Sequence, residues 1–314
     1  MKKEDEMKTK VTGCMRGLLV AAALVLAILA AQVRAASAEG LTKIADNVYS
    51  YVDMKKSSPA TSFGANAGII IGEKGVVVVD TLVSAKQAKK FIRDIRAVTD
   101  KPIRYVVNTH GHLDHTFGNA EFVKKGAVVI SHRNCLANMK KGSEATLRDA
   151  KNFGLTEKDM KGTKIAYPAL TFTDRMEMDL GGRTVELIFT GHSHTDDSIL
   201  VYLPDVKVLF AGDVLFTGYH PFLGEGNIEE WTKALDRVSA MDAEKIIPGH
   251  GPVSTKKDVA EMKAYLIAFD ARARELAAKS NDAAAIAAEI VKSLPARPEG
   301  AGLIPWNVQK YLKK

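Results

Sequence analysis

Four side chains able to bind a metal ion fall within the six residues His110-Gly111-His112-Leu113-Asp114-His115. The motif follows directly on an apolar run, Ile103 to Val107, that reads as a short buried strand. A ligand-bearing loop at the carboxyl end of a strand is where open α/β sheets place their chemistry. The motif therefore constrains the fold as well as the function. The chain has eight histidines, and three of them stand in this motif. His194 and His250 lie in further loops, each just after another predicted strand, Thr184 to Phe189 and Lys245 to Ile247. Imidazole and carboxylate donors suit borderline divalent ions such as zinc.

The remaining pattern is also of alternating strands and helices. Asn47 to Val52, Ala67 to Ile71 and Gly75 to Asp80 read as strands, the last two joined by the turn Gly72-Glu73-Lys74. Ser84 to Ala97 has helical spacing, a helix begins between Thr116 and Lys125, and Ala127 to Ser131 is a buried strand. Residues 132–165 are polar with helical signals. Ile199 to Leu203 and Val208 to Phe210 are strands around the turn Pro204-Asp205, and Asp213 follows at once. Ile228 to Met241 is an amphipathic helix with Trp231 on its core side, and residues 255–293 have helical period with a solvated lysine face. Trp306 to Lys314 carries the weakest pattern.

The order His-x-His-x-Asp-His, then His194, Asp213 and His250, resembles the metallo-β-lactamase fold family over most of residues 41–255. The resemblance implies an α/β protein built as a four-layer αββα sandwich, with residues 39–255 as its catalytic domain. A helical extension, 256–314, is expected to pack on the same domain. By the family pattern His110, His112 and His194 would hold one metal and Asp114, His115 and His250 a second, with Asp213 bridging them. His192 competes with His194 for the third position. The run Thr195-Asp196-Asp197-Ser198 after His194 favours His194. Asp80 is expected to prop the metal loop by hydrogen bonding. Tyr219, His220 and Phe222 are candidate pocket residues.

The same resemblance implies a metal-dependent hydrolase with two zinc ions, iron or manganese being alternatives. A hydroxide shared by the metals would attack a carbonyl, with Asp114 orienting it and passing its proton on. The substrate is expected to be a small molecule of the thioester, lactone or β-lactam class. Asp213 makes the chain similar to thioesterase-type members such as glyoxalase II and to broad periplasmic zinc metallohydrolases, and the likeness to the latter group is closest along residues 191–216. A class B-type β-lactamase, an iron-dependent redox member and a non-catalytic metal carrier are the other readings. His112 argues against flavodiiron members, which carry Glu there.

The first 38 residues stand apart. Lys2, Lys3, Lys8, Lys10 and Arg16 precede an apolar stretch, Leu18 to Ala31, and Ala36-Ser37-Ala38 offers a cleavage site. We expect a signal peptide over 1–38 and an exported, periplasmic or secreted protein, with an uncleaved anchor as the alternative. Without that segment the net charge falls from +7 to +4, because it holds six Lys/Arg and three Asp/Glu. So mild an excess gives no reason to expect nucleic-acid binding. No membrane partner is expected after cleavage, and the oligomeric state is left open. Cys135 would be the only cysteine of the mature chain, and it reads as a small buried hydrophobe.

Overall fold

The computed structural model describes residues 40–52 and 58–312, so the expected signal segment lies outside the described residues. The first sheet runs in chain order through β1 (Thr42–Ala45), β2 (Val48–Tyr51), β3 (Ala67–Gly72), β4 (Gly75–Val79), β5 (Ile103–Val107), β6 (Val128–His132) and β7 (Leu170–Phe172). Pairing is antiparallel from β1 to β4 and parallel from β4 to β7. Parallel neighbours need crossovers, and these carry the helices. They are α1 (Ala85–Val98), α2 (Leu113–Thr116), α3 (Asn119–Val123), α4 (Arg133–Arg148) and α5 (Glu157–Met160).

The second sheet contains β8 (Arg175–Asp179), β9 (Thr184–Phe189), β10 (Ile199–Leu203), β11 (Val208–Phe216) and β12 (Lys245–His250), in the order β12-β11-β10-β9-β8. β11 and β12 are parallel and joined through α6 (Ile228–Ala240). The chain continues into α7 (Lys256–Ala277), α8 (Ala283–Ser293) and α9 (Ile304–Gln309). No helix among the described residues is long and apolar enough to cross a membrane.

The two sheets pack face to face. Ile70, Val77, Val79 and Val107 of the first meet Leu187, Val201, Phe210 and Ile247 of the second in one buried cluster. Val76 and Val78 point the other way and are equally buried. On that side lie Phe91 of α1 and Phe122 of α3, their rings 5.8 Å apart. A strand covered on both faces reads as an unbroken apolar run, which explains the four valines before Asp80. The outer face of the second sheet is covered by α6, α7, α8 and α9, with Trp231, Met262, Phe269, Ile290 and Val308 in a second cluster. Each large aliphatic or aromatic side chain buried this way contributes about 1.5–3 kcal/mol. The result is the four-layer αββα sandwich. The described residues of 41–92 and 101–312 form one compact unit by their contacts.

Two expectations are corrected. The strand read as ending at Phe210 runs on to Phe216, so Asp213 lies within it. The register of β11 against β12 slips on either side of Gly212, whose φ of +49° is a left-handed value. That irregularity turns the Asp213 side chain to the end of the sandwich. Strands β1, β7 and β8 were not expected, and most of their residues are exposed or half-buried. Cys135 is fully buried, and burial pushes its thiol pKa well up.

Candidate metal centre

β5 ends at Val107, and the next eight residues turn over the edge where the two sheets meet. His112 is the residue before α2, so the short helix holds Asp114 and His115 on its buried side. Asp80, just beyond β4, fixes the loop. Its Oδ1 accepts the Thr109 amide at 2.8 Å, and its Oδ2 accepts the Thr109 hydroxyl at 2.7 Å and the His115 Nδ1 proton at 2.8 Å. His110 Nδ1 lies 3.1 Å from the same Thr109 hydroxyl. One carboxylate thereby sets the tautomer of two imidazoles and leaves both Nε2 lone pairs facing inward. Beneath it, Asn108 and Asn119 exchange amide hydrogen bonds of 3.0 and 2.8 Å, and Asn108 also donates to the His115 carbonyl at 3.1 Å.

Two clusters result. His110, His112, His194 and Asp213 have donor atoms within 4.8 Å of one another, and so have Asp114, His115 and His250. In the first, His112 Nδ1 lies 3.0 Å from His110 Nε2 and 3.1 Å from His194 Nε2. Asp213 Oδ2 lies 3.3 Å from His194 Nε2. In the second, His250 Nε2 and His115 Nε2 lie 3.5 and 3.6 Å from Asp114 Oδ2. Asp213 Oδ1 faces this cluster, 3.2 Å from His115 Nε2 and 3.5 Å from His250 Nε2. Donors held about 2.1 Å from a tetrahedral ion stand about 3.4 Å apart, and these separations match that figure. Asp213 Oδ1 and His115 Nε2 are buried without a hydrogen-bond partner, as converging lone pairs around a cation should be. The residues present therefore fit a metal.

The electrostatics agree. Burial, aided by the neighbouring His115, holds His110 well below the ordinary imidazole pKa, and burial takes His194 down to about 3. Both are thus neutral, the form that ligates. Burial opposes charge on His115 too, but Asp213, Asp114 and Asp80 together raise it well above the usual value. Burial would raise Asp213, yet His250, His115, His110 and His194 hold it well below the carboxylate range. Three carboxylates around one imidazole make a pocket of negative potential suited to a cation.

His192 takes no part in either cluster. It is exposed, and its Nε2 lies 2.7 Å from the Glu225 carbonyl. Tyr219 stands 5.5 Å from the His250 ring and Phe222 5.8 Å from the His112 ring. His220 is turned away, its Nδ1 2.6 Å from the Tyr265 hydroxyl. Sequence reasoning missed three supports. The Phe63 carbonyl accepts from His250 Nδ1 at 3.2 Å, in a left-handed turn with φ of +53° at Ser62 and +56° at Phe63. Asn66 clamps the His250 loop by donating to the Pro248 and Gly251 carbonyls at 2.8 and 2.9 Å. The Glu225 carboxylate lies 3.5 Å from His112 Nε2. None has a local signal, because each reaches across more than a hundred residues of chain.

Fold and site together define an αββα sandwich with a candidate metal centre at its edge. A family model of the metallo-beta-lactamase superfamily matches residues 60–250, and the chain belongs to that superfamily. It is 28% identical over 276 residues to a linear primary-alkylsulfatase of Pseudomonas sp. (strain ATCC 19151), covering 77% of this chain and 52% of that protein. It is 26% identical over 216 residues to a metallo-beta-lactamase type 2 of Bacteroides fragilis, covering 67% and 78%. The chain thus spans about half the length of the alkylsulfatase it matches. Among solved structures, a metallo-beta-lactamase from Pontibacter korlensis shares the fold with a TM-score of 0.59 at 22% identity, over 72% of this chain and 98% of that one. A sec-alkylsulfatase from Pseudomonas sp. shares it with a TM-score of 0.62 at 21% identity, over 86% and 50%.

Proposed function

We propose that this protein is an exported hydrolase that holds two zinc ions and cleaves a small carbonyl substrate of the thioester, lactone or β-lactam class. The observation that carries the reading is the Asp213 carboxylate, with one oxygen turned to each cluster. When bound, paired zinc ions would supply Lewis acidity and lower the pKa of water from ~16 to ~7.

The chain's own residues do the rest. His110, His112 and His194 would hold one ion and Asp114, His115 and His250 the other. Asp213, which faces both clusters, would offset the repulsion between the two cations. Asp114 would take a proton released at the centre and deliver it to a leaving group. The rings of Trp231 and Phe216, 5.2 and 5.7 Å from His194, keep water from the inner side. The basic residues Lys2 to Arg16, the apolar Leu18 to Ala31 and Ala36-Ser37-Ala38 support export.

Sulfate-ester hydrolysis is the second reading. It is favoured by the share of this chain that matches, 77% for the alkylsulfatase against 67% for the β-lactamase. Purification of the exported form, with its N-terminus sequenced and its metals counted, tests the first part. A panel of β-lactam, thioester, lactone, phosphodiester and alkyl sulfate substrates tests the second. Turnover of one carbonyl class with two zinc ions per chain is expected. Full activity in metal-free protein would overturn the reading, and turnover of the sulfate ester alone would replace it with the second.

A further inference from the structure

We propose that the carboxy-terminal segment Arg297–Lys310 is the template for the loop facing the metal centre, with Asn307 as its main positioning residue. The loop, residues 217–227, joins β11 to α6 without forming strand or helix, apart from a single bridge of Tyr219 to Glu299. It carries Phe222, whose ring lies 5.8 Å from that of His112 and 6.4 Å from that of His194. It also carries Glu225, whose Oε2 lies 3.5 Å from His112 Nε2.

An irregular segment at a buried site must satisfy its backbone polar groups somewhere. Here many of them go to the segment Arg297–Lys310. Arg297 donates to the Phe216 and Tyr219 carbonyls at 3.2 and 2.9 Å. The Glu299 amide donates to the Gly218 carbonyl at 3.3 Å, and the Glu299 carbonyl accepts the His220 amide at 2.8 Å. Lys310 reaches the Gly226 carbonyl, and the Leu223 carbonyl at 3.5 Å. Asn307 is wholly buried and uses both ends of its amide. Its Oδ1 accepts the Leu223 amide at 2.7 Å, and its Nδ2 donates to the Pro221 carbonyl at 2.8 Å. Those two residues flank Phe222, so one side chain fixes the residue between them as a neighbouring strand would.

The approach is close. Gly300 has φ of +81°, and a Cβ there would stand 2.6 Å from the His220 carbonyl oxygen. Ile304 and Val308, on either side of Asn307, are buried in the cluster with Leu223 and Trp231, which anchors the template independently of its polar contacts. The family model ends at residue 250. The loop thus lies inside the matched region and its template outside it. The geometry of Phe222 and Glu225 beside the candidate metal centre is therefore set by a segment that, among the described residues, lies outside both clusters.

What the loop does rests on the metal-centre reading, but its order does not. The test uses the full chain with Asn307→Ala and, as a variant that removes no buried side chain, Lys310→Met. Hydrogen exchange of residues 217–227 is compared with that of α6 and β12, and zinc retention is measured by chelator competition. In both variants loop amides are expected to exchange about tenfold faster or more, with α6 and β12 unchanged. Zinc retention is expected to fall about tenfold, since Glu225 no longer holds His112. Should Asn307→Ala fail to fold, Lys310→Met decides. Unchanged loop exchange in a folded variant overturns the proposal, and so does faster exchange spread evenly over loop, α6 and β12. If even the wild type binds no zinc, the metal-centre reading fails while the exchange result still decides the template.

Discussion

Gly249 packs against Asp213 so tightly that a Cβ on it would occupy the space of the Asp213 carboxylate. Both stand near the ends of the parallel pair β11 and β12. Gly249 has no left-handed φ, so the demand is for room and not for conformation. Gly249→Ala is expected to displace the carboxylate from between the clusters. Metal content should fall below that of the wild type and kcat/KM by about 100-fold, measured by elemental analysis and steady-state kinetics. A variant with full metal content and full activity would remove Asp213 from its bridging role.

Asp80 touches no expected ligand atom directed at the metal, yet it accepts three hydrogen bonds from the histidine loop. Asp80→Ala should weaken zinc binding about 10- to 100-fold, the usual effect of losing a partner behind a ligand. Chelator competition measures it. The loss should be greater at the cluster containing His115 than at the other, because His115 is bonded directly and His110 only through Thr109.

Removing the metal should cost stability as well as activity. A ligand bound only by the folded state at about a thousandfold over its Kd adds about 4 kcal/mol, which is about 10 °C in Tm for a domain of this size. Calorimetry with chelator and with added zinc should show that gap. Equal Tm values would mean that the clusters hold nothing of consequence for folding.

His220 gives a pH dependence away from the metal. Burial and the nearby Arg297 lower its pKa from 6.5 in the folded protein. The unfolded chain therefore takes up the proton first as pH falls. The stabilisation is complete above pH 6.5 and is lost on going down toward the folded pKa. The Tm advantage of the wild type over His220→Gln should shrink between pH 8 and pH 5. A constant difference across that range would refute the assignment.

Much of the fold could be read along the chain, because its buried strands are dense in valine and isoleucine. Ile103–Val107 and Thr184–Phe189 have the limits that the apolar pattern suggests. β1, β7 and β8 escaped because exposed edge strands need no such pattern, as in Arg175–Asp179, where one residue of five is buried. The continuation of β11 through Asp213 escaped because glycine, which usually breaks a strand, here makes the bulge that aims it. The clustered histidines and aspartates were visible by type and order. Their supports were not: Phe63 acts through its carbonyl, which any residue possesses, and Asn66, Glu225 and Asn307 act across long separations.

The two clusters draw on both sheets. His110, His112, Asp114 and His115 follow β5 of the first, whereas His194, Asp213 and His250 belong to the β9–β12 end of the second. Neither half can encircle an ion by itself. A metal ion held there would therefore fasten one sheet to the other, and its loss would loosen the joint between the two halves of the sandwich.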